Sequence, residues 1–192
     1  MDSHAAVIAK HLSELGRLAN EVAQKHAGDI ARLAAIYVRT LRNGGTLYFA
    51  GNGGSAADAQ HVATEYVVRY GRNRKPLPAV AITTDTSLLT ACGNDLSFDD
   101  VFARQVQALM KPGDLLVLHS TSGESPNMVR AAEQARAQGV GSVALVGKGG
   151  GRLSEVVEYS LVIPSWETSR IQELHLAIEH VICGLVENEF AS

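Results

Sequence analysis

Five short apolar runs, each followed by a stretch with helical spacing, constrain this chain more than any other feature of its sequence. Thr46–Ala50, Ala79–Thr83, Asp114–His119, Ser142–Gly147 and Tyr159–Ile163 read as β-strands. Runs that are apolar throughout belong to strands buried on both faces. Strands that alternate with helices make a parallel sheet, because a parallel pair needs a crossover long enough for a helix. The expected fold is therefore α/β, a five-stranded parallel sheet sandwiched by helices. At 192 residues, 46% of them hydrophobic and 19% charged, the chain suits one such domain, expected to span 1–192.

Two further helical patterns stand ahead of the strands. Val7, Ile8, Leu12, Leu15, Leu18, Ala19 and Val22 recur at helical spacing, as do Ile30, Leu33, Ala34, Tyr37, Val38 and Leu41. Asn43-Gly44-Gly45 stops the second. They predict an N-terminal helical pair over 1–43, ahead of a βαβ core over 44–192. A βαβ sandwich does not need these helices, and their apolar faces would be costly to leave in water, so a homo-oligomer is expected. The final helix is predicted from about Thr168 to Glu189.

Charge and cysteine content exclude several function classes. The net charge is −3 with no basic run, so no nucleic-acid partner is expected. A cluster such as Arg69, Arg72, Arg74 and Lys75 reads as a solvated loop. Cys92 and Cys183 lack CxxC or metal-finger spacing and read as buried free thiols in a reducing compartment. Met1 to Lys10 has neither the basic start nor the apolar stretch of a signal peptide, and no apolar run approaches the roughly 20 residues of a membrane span. A cytoplasmic protein without a membrane partner is expected.

Two strand-to-helix loops are rich in small and hydroxyl residues. Gly51-Asn52-Gly53-Gly54-Ser55 follows the first strand, and Ser120-Thr121-Ser122-Gly123-Glu124-Ser125 follows the third. Glycines let a backbone turn tightly and approach a ligand, and a helix start presents unpaired N–H groups to an anion. Pro126 suits the first helical position after the second loop. The hydroxyls of Ser120, Thr121, Ser122 and Ser125 can donate to phosphate oxygens without any Lys. Either loop alone is equally consistent with an ordinary turn, and Ser125 with a simple N-cap. In a doubly wound sheet of the flavodoxin-like order 2-1-3-4-5, however, strands one and three meet at the topological switch point. Both loops then open into one crevice, and together they predict a phosphate site.

The first loop also fits a loose dinucleotide pattern through Gly51, Gly53 and Ala56. No acid ends the second strand about 20 residues on, where a ribose would need one, and Asp85 comes late. No Gly-Lys-Ser/Thr follows either loop, which excludes a P-loop NTPase.

The helix after the first loop carries Asp58, His61 and Glu65. His61 and Glu65 are one turn apart on one face, where they can hold a divalent ion; Glu65 can also remove a proton. An exposed helical His–Glu pair is the plain alternative, and the position beyond the phosphate loop weighs against it. The last helix carries Gln172, Glu173, His175, Glu179 and His180, and spacing does not choose among them.

The run Ala50-Gly-Asn-Gly-Gly-Ser-Ala-Ala-Asp-Ala-Gln-His61, with Glu65, Gly93-Asn94-Asp95, Ser120-Thr-Ser-Gly and Arg170-Ile-Gln-Glu-x-His175, resembles the phosphoheptose isomerase family of the sugar isomerase (SIS) superfamily. The likeness covers nearly the whole chain, with its motifs in order. It implies an SIS-type fold, a homotetramer, and conversion of sedoheptulose 7-phosphate to D-glycero-D-manno-heptose 7-phosphate for lipopolysaccharide or another surface glycan. It also implies zinc held by His61, Glu65, Gln172 and His180. Sugar contacts would fall to Asn52, Gly53, Gly54, Ser55, Asn94 and Asp95, phosphate contacts to Ser120, Thr121, Ser122 and Ser125, and acid/base work to Glu65 and His180.

Two positions depart from the family's pattern. His119 stands where an aliphatic residue is usual, and reads as a packed neutral imidazole. Glu124 stands where Asn is frequent, and its carboxylate either repels the phosphate or points outward at a helix start. Two rival readings share the fold. Non-catalytic SIS proteins that bind a bacterial replication initiator lack an acid matching Glu65, and sugar-phosphate-sensing regulators carry a DNA-binding module that this chain does not.

Overall fold

The structure, a computed structural model, describes residues 3–191, so the first two positions of the N-terminal segment read above lie outside the described residues. Its sheet has the strands β1 (Leu47–Gly51), β2 (Ala79–Ala81), β3 (Leu115–Ser120), β4 (Gly141–Val146) and β5 (Tyr159–Val162). They pair in parallel in the order β2-β1-β3-β4-β5, as the alternation of strands and helices requires. Their bounds fall within one residue of the expected ones except at β2, which ends two residues early. β2 is an edge strand with one neighbour and half-exposes Val80, so little holds its far end in the ladder.

Helices α1 (His4–Arg42), α2 (Gly54–Val67) and α7 (Thr168–Phe190) cover one face of the sheet. There they bury Leu47, Phe49, Val117, Val143 and Leu145. Helices α3 (Thr86–Asp95), α4 (Ala103–Leu109), α5 (Pro126–Ala137) and α6 (Gly151–Val156) cover the other over Ala50, Leu116, Leu118, Ala144 and Val146. Alternate residues of β3 thus enter opposite cores, which is why the run is apolar throughout. Both cysteines are free and buried, as expected.

The expected helical pair over 1–43 is instead one helix of 39 residues. Only Gly28 interrupts the span between the two patterns, and a lone glycine costs a helix roughly 1 kcal/mol, too little to break it. Side-chain pairs one turn apart, Arg17–Glu21, Lys25–Glu21 and His26–Asp29, carry the helix across. The Tyr159 hydroxyl donates to Asp29 at 2.6 Å and fastens the junction to the sheet. The opening turns of α1 touch little else: Val7, Ile8 and Leu12 are exposed, and burial begins at Leu18.

A buried polar link crosses the first core. The Tyr37 hydroxyl on α1 donates to Glu179 Oε1 on α7 at 2.9 Å, and His119 Nε2 at the end of β3 reaches the same oxygen at 2.9 Å. With Glu179 ionised, the His119 proton sits on Nε2, since a carboxylate only accepts. His119 is packed, as expected, and its partner there is the buried Glu179 carboxyl.

Candidate functional site

The phosphate-type loops lie side by side because β1 pairs with β3, with Gly51 opposite His119. Between them is a small polar hollow of about 50 Å³ lined by Asn52, Ser55, Ser120, Thr121, Ser125 and Gln172, with His119 at its edge. The glycines are needed here for two separate reasons. Gly53 has φ +56°, which side chains rarely adopt, and a Cβ on Gly54 would stand 2.8 Å from the Gln172 amide. Asn52 and Asn127 exchange two amide hydrogen bonds of 2.9 Å, locking the first loop to α5.

Within the second loop, Ser120 Oγ accepts from Gly123 N–H and Ser122 Oγ from Glu124 N–H. Each hydroxyl keeps its own proton to donate. Ser125 occupies the N-cap position of α5, followed by Pro126, yet its side chain makes no capping bond. The simple N-cap reading of Ser125 therefore fails, and its hydroxyl is free to meet a ligand. Ser122 is beside the hollow but does not line it. Glu124 turns away: its Oε1 accepts from Arg152 N–H at 3.0 Å, at the start of α6.

About one helix further on, α2 and α7 bring a second group together. His61 Nε2 lies 2.8 Å from His180 Nε2 and 3.4 Å from Glu65 Oε1. One ligand atom from each of the three residues lies within 4.8 Å of the others. Two imidazole nitrogens and a carboxylate oxygen at that spacing suit a divalent ion such as zinc with an open position, so the residues fit the metal that the sequence resemblance implies. Gln172 sits at the hollow, its amide N–H donating to Ser55 Oγ at 3.4 Å. A turn before His61, the half-buried Asp58 carboxyl is pushed above its ordinary value by burial.

The structure also decides what spacing on the last helix left open. His180 meets His61 with Glu65 in the same cluster, while Glu179 points into the core and Glu173 pairs with Arg170 at 2.6 Å. His175 is fully buried, its Nε2–H donating to the Val146 carbonyl at 3.3 Å, and burial drives it down to about 3. Asn94 and Asp95 are not brought to the hollow. They end α3 in an exposed position, bonded to one another, beside a larger apolar hollow of about 730 Å³ between α3 and α4. That larger hollow has few polar groups converging on it and lies away from the His/Glu group.

Sequence reasoning missed the residues that hold this end in place. Arg74 is not a solvated loop residue, for its side chain is 2% exposed. Its guanidinium donates to the Glu65 and Tyr66 carbonyls at 2.6 and 2.8 Å, closing the end of α2. Glu187 on α7 meets Arg74 and the backbone around Tyr70, whose ring lies on His180. The one sequence signal was the spacing of Glu187, seven residues after His180 and so on its face of the helix.

A doubly wound sheet with a hydroxyl-lined hollow at its switch point, beside a carboxylate–imidazole group, defines a phosphosugar-type α/β protein. Residues 10–147 match the family described as the SIS domain. The phosphoheptose isomerase of Akkermansia muciniphila is 53% identical over 163 residues, which are 85% of this chain and 86% of that protein. Two solved phosphoheptose isomerases superpose on nearly the whole fold. The one from Neisseria gonorrhoeae has a TM-score of 0.92 at 38% identity, covering 97% of this chain and 100% of its own. The one from Francisella tularensis has 0.93 at 33%, covering 97% and 99%. The chain belongs to the SIS domain family and, within it, to the phosphoheptose isomerases, which are aldose–ketose isomerases. Among the described residues no helix is long and apolar enough to cross a membrane.

Proposed function

We propose that this chain, as a single SIS domain over 1–192, converts sedoheptulose 7-phosphate to D-glycero-D-manno-heptose 7-phosphate through an enediol(ate). The observation that carries the reading is the pairing of a hydroxyl-lined hollow with a carboxylate–imidazole group on neighbouring helices. The hydroxyls of Ser120, Thr121, Ser122 and Ser125 hold the phosphate. Asn52, Gly53, Gly54, Ser55 and Gln172 face the sugar. Anchoring at the phosphate, far from the reacting carbons, orients the open chain and removes entropy from the reaction step.

Glu65 takes a proton from C1 of the ketose while His180 gives one to the C2 carbonyl oxygen. The resulting enediol collapses to the aldose when C2 regains a proton and the C1 hydroxyl loses its own. Zinc held by His61, Glu65, Gln172 and His180 would polarise the oxygens on C1 and C2. Apolar Val7, Ile8 and Leu12 on the open turns of α1 support a homo-oligomer, which the resemblance sets at four copies. Asn94 and Asp95 then serve the sugar across a subunit contact. The heptose phosphate product feeds a surface glycan such as lipopolysaccharide, made from the cytoplasm. Incubation of the purified protein with sedoheptulose 7-phosphate, with and without a chelator, tests the reading by aldose formation. Absence of aldose from the metal-loaded protein refutes it.

A further inference from the structure

The segment between α2 and β2 wraps back onto α7, and one side chain gathers it in. Glu187, 4% exposed, accepts the Tyr70 N–H at 3.1 Å on Oε1 and the Gly71 and Arg72 N–H groups, each at 2.9 Å, on Oε2. Three successive backbone donors on one carboxylate form an anion nest whose resident anion belongs to the protein itself. Arg74 Nε completes it at 3.4 Å while its other nitrogens hold the Glu65 and Tyr66 carbonyls. Burial opposes the charge on Glu187, but the N–H groups of Gly71, Tyr70 and Arg72, together with Arg74, outweigh it and hold the carboxyl below its ordinary value.

The nest fixes where Tyr70 goes. Its ring lies on the His180 imidazole with centroids 5.7 Å apart and planes 28° apart, while its outer face is open to solvent. Gly184, one turn along α7, lies under the ring: a Cβ there would stand 3.5 Å from it, in ordinary contact. His180, Gly184 and Glu187 share one face of the helix, so α7 carries both the imidazole under the ring and the anchor of the loop. His180 has no hydrogen-bonding partner besides His61 among the described residues, and no carboxylate or carbonyl holds its other ring nitrogen; the Tyr70 ring is the group that lies beside it there.

We propose that Tyr70, anchored through Glu187, is a positioning residue that holds the His180 ring turned toward His61 and Glu65. The inference rests on the metal-assisted reading above. It assigns to a stacked ring the orienting task that a hydrogen-bonded partner performs at most metal-bound histidines. The hydroxyl of Tyr70 has no part in it; what is required is the ring beside the imidazole.

Tyr70→Ala and Tyr70→Phe in the full chain test the proposal by three readings. Loss of an orienting partner lowers metal affinity or activity by roughly 10–100-fold. Tyr70→Ala is therefore expected to weaken zinc binding, measured by competition with a chelator, by at least about tenfold, and to lower kcat with KM within about twofold. Tyr70→Phe is expected to restore both. In the metal-free protein, removing the ring shifts the His180 ring-proton signals in NMR, while Tyr70→Phe leaves them near their original positions. Unchanged zinc affinity and unchanged His180 signals in Tyr70→Ala overturn the proposal, as does failure of Tyr70→Phe to rescue. If the wild type forms no aldose, the functional reading falls, whereas zinc competition and the metal-free NMR still judge the ring contact.

Discussion

The two ends of the site are built in different ways. The hydroxyl end is made by chain-local geometry: two loops, each leaving a strand and entering a helix, brought together by one parallel pairing of β1 with β3. The His/Glu end is made by tertiary convergence, from α2 and α7, which are 119 residues apart at His61 and His180. A backbone-framed end tolerates change in the packing around it, whereas a convergent end depends on everything that orients two helices. On the proposed reading, binding belongs to the first and chemistry to the second, so substitutions at the two ends should separate KM from kcat.

The largest effect is expected at the convergent end. Glu65→Gln keeps the shape but removes the proposed base, and kcat should fall about 10²–10⁴-fold in a steady-state assay with heptose phosphate. Retention of more than a tenth of the turnover would assign the proton to another group. At the hydroxyl end, Ser125→Ala removes one donor to a charged phosphate, worth about 1.5–3 kcal/mol. KM should rise roughly 10–100-fold with kcat little changed. If kcat fell instead, the division of labour between the ends would be wrong.

Acid should act on both ends together, because His175 sits on α7 between Gln172 and His180. The folded protein keeps its imidazole neutral down to about 3, while in the unfolded chain it takes a proton near its ordinary 6.5. Between those values the unfolded state binds more protons, so stability falls as pH falls, by up to about 1.4 kcal/mol per pH unit. Denaturant titrations of wild type and His175→Leu over that range should show the variant with the shallower slope. The smallest effect is expected from Glu124→Ala. Its carboxylate caps α6 and does not face the hollow, so KM should stay within about twofold and stability drop by about 0.3–1 kcal/mol. A fall in KM would show that the carboxylate repels the phosphate after all.

The same contrast explains what was legible in the sequence. The strands, their order and the two loops follow from local pattern and one topological rule, and they emerge within a residue or two. Gly53 and Gly54 also announce themselves, since glycine carries backbone information in the sequence itself. The convergent end does not. Spacing alone leaves five polar residues on the last helix open, and only the family resemblance picks out Gln172 and His180; the structure then brings His180 to His61 and Glu65 and turns Glu179 into the core. Arg74 looked like a loop charge because burial by a distant helix leaves no local trace, and Tyr70 carried no signal at all. The continuity of α1 was hidden for the opposite reason: two apolar faces separated by a polar stretch look like two helices, although nothing in between is strong enough to break one.

One carboxylate oxygen, Glu179 Oε1, serves both Tyr37 and His119 and so binds the first helix, the central strand and the last helix to a common point. Deleting either partner takes one of two hydrogen bonds from a buried carboxyl, at a cost of about 1–3 kcal/mol, whereas exchanging the whole trio for aliphatics of like volume is close to neutral. The three positions are therefore energetically coupled, so that changes at them do not add. A lineage can acquire or shed the trio by a concerted change, but each halfway sequence must survive with its centre weakened.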